Sequence, residues 1–205
     1  AFDPINESVL ATDLPLADMK LVFEKEEELL GNWKCHIWNY VDELHLKFVH
    51  GGKGGLVDET DIDSYITELY KYSSLRWVYA RDPADGFLHK KHTKKPVFAL
   101  WWCVWPNLTI NVYKWGVSIN VYWPKLSDPD RTNLLTRHYA WDWAEYERLL
   151  KKWGNMRVDK EDLKIVADLQ EVMRSSRTRG RFTPRGELAS HWFHRKIYEM
   201  TKNDK

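Results

Sequence analysis

The spacing of apolar and polar residues is most regular between Pro96 and Trp123. There "PVFALWWCVW", "LTINVYK" and "VSINVYW" alternate with period two, punctuated by Pro106-Asn107 and Trp115-Gly116. This pattern predicts three antiparallel strands. With two-residue turns, Asn111 lies opposite Asn120, Val112 opposite Ile119 and Ile110 opposite Val121. Trp101, Cys103 and Trp105 then join the apolar face. Trp102 sits beside the asparagine pair, flanked by Thr109, Tyr113, Ser118 and Tyr122. The tetrapeptide INVY occurs twice because one strand folds back on its near-copy.

Outside this block the period varies. "WKCHIWNY" and "ELHLKFVH" alternate well enough to predict a hairpin turning near Val41-Asp42, and "RWVYA" a short strand. "RTNLLTRHYAW" reads as a fourth meander strand, with an early helix as its rival. Helical spacing appears in "MKLVFEKEEELL", between Asp18 and the terminating Gly31, and in "DETDIDSYITELYKY". It returns in "WAEYERLLKKW" after Asp142, from Asp159 to about Arg174, and from Thr183-Pro184 to Met200. The predicted fold class is α+β. A hairpin and a three- or four-stranded meander make an antiparallel sheet, with one inserted helix and C-terminal helices on one face. Residues 1–17 read as an extended arm and 18–205 as a single domain, with 155–205 a basic helical extension.

Composition changes this picture in two ways. The chain has 205 residues and twelve tryptophans, a share suited to interfaces and stacking surfaces as well as to cores. Its net charge of +1 hides an asymmetry. Residues 1–75 carry 6 Lys/Arg against 15 Asp/Glu, whereas residues 151–205 carry 14 against 8. An acidic front and a basic tail fit an assembly subunit with two neighbours, or a basic end that meets phosphate. Two cysteines, Cys35 and Cys103, make no disulfide framework and point to a reducing compartment, cytoplasmic or mitochondrial. No apolar run spans a bilayer.

Candidate chemistry follows from these features. Arg174, Arg177, Arg179, Arg181 and Arg185 crowd one loop without compensating acids, and guanidinium forks suit phosphate oxygens. Lys90, Lys91, Lys94 and Lys95 extend this basic set if they share its side of the molecule. The sheet face bearing Trp102, Asn111, Tyr113, Asn120 and Tyr122 offers rings for stacking and amides for reading an edge. The glycine run at 51–55 lacks the phosphate-loop spacing, and "DETDID" reads as helix-dipole acids. His89/His92 and His191/His194 lack a zinc frame. No nucleophile motif occurs, so neither catalytic residue, metal nor cofactor is assigned.

The sequence therefore predicts a non-enzymatic assembly subunit contacting RNA or another polyanion through its arginine loop, with protein partners in a larger complex. One alternative is a small enzyme or ligand-binding protein with a pocket on the Trp/Asn/Tyr face. Another is a protein scaffold without nucleic acid.

Overall fold

The predicted meander forms the centre of the sheet in the computed structural model, which describes residues 2–50, 56–153, 158–175, 181–183 and 186–202. Its strands are β5 (His92–Val104), β6 (Leu108–Tyr113), β7 (Gly116–Lys125) and β8 (Asp128–Ala140). To these add β1 (Lys20–Leu30), β2 (Thr60–Leu69), β3 (Ser73–Ala80) and the short β4 (Phe87–His89). All pair antiparallel in the order β1-β8-β7-β6-β5-β3-β2, with β4 beside β5. The α+β class and antiparallel sheet are as the sequence predicts.

Several elements differ. "MKLVFEKEEELL" has helix-forming composition, yet it is the edge strand β1. There, cross-strand pairs override propensity: Glu24 Oε2 lies 2.5 Å from Arg137 Nε, and Glu28 is 2.5 Å from Lys125 and 2.9 Å from Arg131. "DETDIDSYITELYKY" is mostly β2 at the other edge. The predicted hairpin after Gly31 is helical instead, α2 (Trp33–Val41) and α3 (Leu44–Val49). Asn32 caps α2 by accepting from the Lys34 N–H at 3.0 Å. Residues read as an extended arm include helix α1 (Asp3–Val9), and α4 (Leu56–Glu59) is a single turn. The rest are α5 (Trp143–Trp153), α6 (Val158–Arg174) and α7 (Leu188–Thr201).

Register explains which face each strand residue takes. The β5–β6 pairing joins Val104 to Leu108, leaving three loop residues rather than two. That one-residue slip turns every β5 side chain to the other face. Trp102 therefore lies opposite Ile110 and is fully buried with Leu75, Leu100, Val112 and α1's Ile5. Trp101 and Cys103 instead share the face of Asn111. In β6–β7 the turn is Lys114-Trp115, so Asn111 meets Ser118, and Asn120 meets Thr109, to whose Oγ1 it donates at 3.2 Å. This two-residue slip preserves the faces. Helix α1 covers the apolar side, and α2, α5, α6 and α7 pack on the other.

Candidate metal centre and its cavity

Three ligand-type side chains converge where α3 meets α6. Asp42 accepts from the backbone N–H of Leu44 at 3.3 Å and of His45 at 3.1 Å, starting α3 with only Asp42 and Glu43 between it and α2. This tight junction carries His45, and His50 closes the helix at its C-terminal end. Helix α6 brings Asp162. Its Oδ1 is 3.1 Å from His50 Nε2 and 3.6 Å from His45 Nε2. All three potential ligand atoms lie within 4.8 Å of one another, the single such grouping among the described residues.

The outer ring nitrogens face carboxylates. His50 Nδ1 is 2.9 Å from Glu161 Oε2, and His45 Nδ1 is 3.5 Å from Asp42 Oδ2. Burial alone would depress the His50 pKa, but Asp162 and Glu161 outweigh it and hold it above the ordinary histidine value. Two imidazoles and one carboxylate, each imidazole backed by an outer carboxylate, make the donor set of a non-haem iron(II) centre with open coordination positions. The residues fit that metal.

Beside Asp162 opens a cavity of about 580 Å³. Its sheet wall includes Asn111, Tyr113, Ser118, Asn120 and Tyr122. Its helical wall includes His36 and Tyr40 of α2, Leu150 of α5, and Leu163 and Val166 of α6. Tyr40 Oη donates to Asn111 Oδ1 at 2.7 Å, and His36 stacks on Tyr122 with centroids 5.8 Å apart. At the α5 side, His138 Nδ1 lies 2.9 Å from Tyr146 Oη, and burial takes the His138 pKa down to about 4. Four of the five predicted sheet-face residues thus line one chamber. Trp102 does not, for the register reason above.

The sequence pattern of the family described as "Ring hydroxylating alpha subunit (catalytic domain)" matches residues 16–203. The chain belongs to this family of ring-hydroxylating oxygenase catalytic domains. Comparison with curated proteins found no match. Among solved structures, the chain is similar to a quaternary ammonium Rieske monooxygenase, in a study of carnitine oxidation by gut microbiota. Identity is 22%, the TM-score is 0.69, and coverage is 89% of this chain and 51% of that one. It is also similar to dicamba monooxygenase at 13% identity, TM-score 0.62, covering 91% of this chain and 60% of the other. These likenesses show the fold. The chain spans between half and three-fifths of these structures' length.

Family membership overturns the RNA-contacting, non-enzymatic assembly subunit: this is the catalytic domain of an oxygenase family, with no ribonucleoprotein role in view. The described members of the basic set are spread over α6, the segment after it and the β4–β5 hairpin. Arg174 is exposed and pairs with Asp130. Arg181 is exposed, and Arg177, Arg179 and Arg185 lie outside the described residues. Lys91 and Lys95 reach Glu7 and Asp61 at 3.5 and 2.8 Å, while Lys90 and Lys94 are exposed. The predicted lysine loop is in fact the β4–β5 hairpin, packed beside α1 across the sheet from α6. No described helix is long and apolar enough to cross a membrane.

The sequence reading missed His45, His50 and Asp162. Their signal was Asp42-x-x-His45-x-x-x-x-His50 with a distant carboxylate, hidden once that segment was read as a strand. A second group common in such oxygenases, the Rieske cluster, does not fit these residues. It needs two cysteines and two histidines. Cys103 is sealed among Ile37, Val41 and Phe193, and Cys35 Sγ faces Gln170 Oε1 at 3.6 Å.

Proposed function

We propose that this chain is the oxygen-inserting domain of a Rieske-type oxygenase, holding one iron(II) on His45, His50 and Asp162. The observation that carries this reading is the convergence of those three side chains beside a closed-in cavity. When bound, iron(II) supplies dioxygen activation. The balance for a monooxygenase is C–H + O₂ + 2e⁻ + 2H⁺ giving C–OH + H₂O. The electrons come from a partner cluster, since the two cysteines here do not make one.

The chain's own residues bind, orient and enclose. Asp42 fixes the start of α3 and faces the outer nitrogen of His45, so it acts as a positioning residue. Glu161 does the same for His50. Asp162 supplies the negative charge that two neutral imidazoles lack. Leu163 and Val166 on α6 and Leu134 on β8 shield the chamber, strengthening polar contacts inside it.

The test is anaerobic titration with iron(II), with metal counted after desalting, and with cobalt(II) as a spectroscopic probe. One equivalent should bind to the wild-type chain. His50→Ala and Asp162→Asn should retain less than a tenth of it while keeping the far-ultraviolet circular dichroism spectrum. Equal metal in the folded variants overturns the assignment. His191→Ala on α7 is the control that should bind normally.

A further inference from the structure

On the α5 side of the chamber, aromatic rings form a continuous path from its wall to solvent. Tyr113 and Trp115 belong to the wall and stack on each other, with centroids 5.6 Å apart and planes 17° apart. Trp115 meets the ring of Tyr146 edge-on at 5.2 Å. Tyr146 lies 5.5 Å from Trp143, at the start of α5. Tyr146 is 3% exposed and Trp143 is 55% exposed. Indole and phenol rings lose a single electron far more readily than aliphatic side chains. Rings in contact exchange that electron without any opening to solvent.

A phenol is easily oxidised only when its proton has somewhere to go. Burial raises the Tyr146 pKa, so the phenol keeps its proton. Its Oη lies 2.9 Å from His138 Nδ1, and burial keeps that imidazole neutral, a base in place to accept. The imidazolium formed by that transfer would have ring neighbours on hand. The centroids of Phe23 and Trp115 lie 4.9 and 5.2 Å from that of His138, within the range of cation–π attraction. Packing accounts for the ring contacts, and the hydrogen bond also satisfies a buried hydroxyl. Neither role moves an electron.

We propose that Tyr146 and His138 form a proton-coupled redox relay that drains oxidising equivalents from the chamber to the surface. The proposal rests on the reading of the chamber as the place where dioxygen is reduced. Without substrate, complete reduction is O₂ + 4e⁻ + 4H⁺ giving 2H₂O. Two electrons come from the partner cluster, and the relay supplies the other two, one at a time. In each pass Tyr146 gives an electron through Trp115 and its phenolic proton to His138 Nδ1, leaving a neutral phenoxyl radical. An electron from Trp143 and the proton returned by His138 restore the phenol. Two external thiols, oxidised to one disulfide, replace the two electrons at Trp143 and release two protons.

Flash oxidation of the iron-free chain reads the relay from its solvent end. Cys35 and Cys103 are buried, so Glu147→Cys, at an exposed position four residues after Trp143, takes a ruthenium(II) bipyridine label selectively. A flash with hexaammineruthenium(III) as quencher oxidises Trp143. Transient absorption should then show the indole radical giving way to a tyrosyl radical, more slowly in deuterium oxide. The tyrosyl signal should vanish in Tyr146→Phe. In His138→Gln it should form about a hundredfold more slowly, the usual loss when a positioned base is removed. A tyrosyl signal that persists in Tyr146→Phe overturns the proposal, as does a rate unaltered by His138→Gln. Should these buried variants misfold, Trp143→Phe at its exposed site decides: a tyrosyl rate equal to wild type overturns it. In iron(II)-loaded chains given hydrogen peroxide and glutathione, mass spectrometry should find more oxidised His45 and His50 in Tyr146→Phe than in wild type, and equal oxidation overturns the draining role. Because the flash experiment needs no metal, its failure is distinct from failure of the iron assignment, which the titration reads.

Discussion

Replacing Gly31 by alanine should disturb the metal centre from a distance, and the geometry sets the size of the effect. Gly31 has φ +98°, between β1 and α2. A left-handed backbone costs an L-residue with a Cβ ~1–2 kcal/mol. The added Cβ would also meet Val166 Cγ1 at 2.6 Å. Val166 is stiff at χ1 and 1% exposed, so it cannot swing clear. Such overpacking costs ~1–3 kcal/mol. The total is therefore ~2–5 kcal/mol by urea unfolding. Val166 follows Asp162 by one helical turn on the same face, so pressure on Val166 moves the carboxylate. Iron(II) affinity should fall about tenfold, equivalent to ~1.4 kcal/mol. A double-mutant cycle separates the two costs. In a Val166→Ala background, Gly31→Ala should cost only the backbone part, ~1–2 kcal/mol, and iron affinity should no longer respond. Equal costs in both backgrounds would show that this contact does not seat α6. An unchanged affinity in the single variant would show that α6 seating does not govern Asp162.

Other outcomes follow from single groups. His50→Ala and Asp162→Asn should each retain less than a tenth of the iron(II) held by the wild-type chain, read as metal remaining after desalting. Burial takes His138 and His92 down to about 4, from an ordinary 6.5. The unfolded chain thus binds more protons than the native one between those values, and stability should fall as pH drops from 6.5 towards 4. His138→Gln and His92→Gln should each flatten that slope in urea titrations at stepped pH; an unaltered slope refutes the attribution. Arg76, 3% exposed, donates to the backbone carbonyl of Tyr40 and lies 4.2 Å over its ring, holding the end of α2. Arg76→Lys keeps the charge but loses the planar fork, and should cost at least ~2 kcal/mol in thermal or urea unfolding.

How much of this was legible depended on how much each segment's environment resembled its local pattern. The meander strands have one face under helices and repeat their period faithfully, so β5 to β8 were readable, as were α5 and α6. Helix α2 was not. It buries Cys35, His36, Ile37, Asn39 and Val41, because the sheet, α6 and α7 surround it. Burial on several sides erases the 3.6-residue stripe and leaves an aromatic run resembling a strand. Reading it as a strand carried the error into α3 and concealed the histidine pair, since residues five apart on a strand point to opposite faces. Asp162 was legible as a helical residue but not as a ligand. Its role exists only because α6 packs across more than a hundred residues of sequence onto α3. The arginine cluster misled for a related reason: charge composition says nothing about which surface a loop shares with other loops.

The face logic of the sheet also fixes where chemistry is placed. One side of β5 and β6 sends Leu100, Trp102 and Val112 under α1 and is dry. The other sends Asn111 and Tyr113 towards α2 and α6, so the polar side chains meet the helix that carries Asp162 and the one that leads into α3 with His45 and His50. Since alternation is strict, the three loop residues between Val104 and Leu108 decide this assignment for β5. A two-residue loop would bring Trp102 round to the chamber side and turn Trp101, whose indole N–H donates to Tyr113 Oη at 2.9 Å, away from it. The chamber therefore owes its mixed character, apolar from the helices and amide-rich from the sheet, to a turn length as much as to the residues that line it.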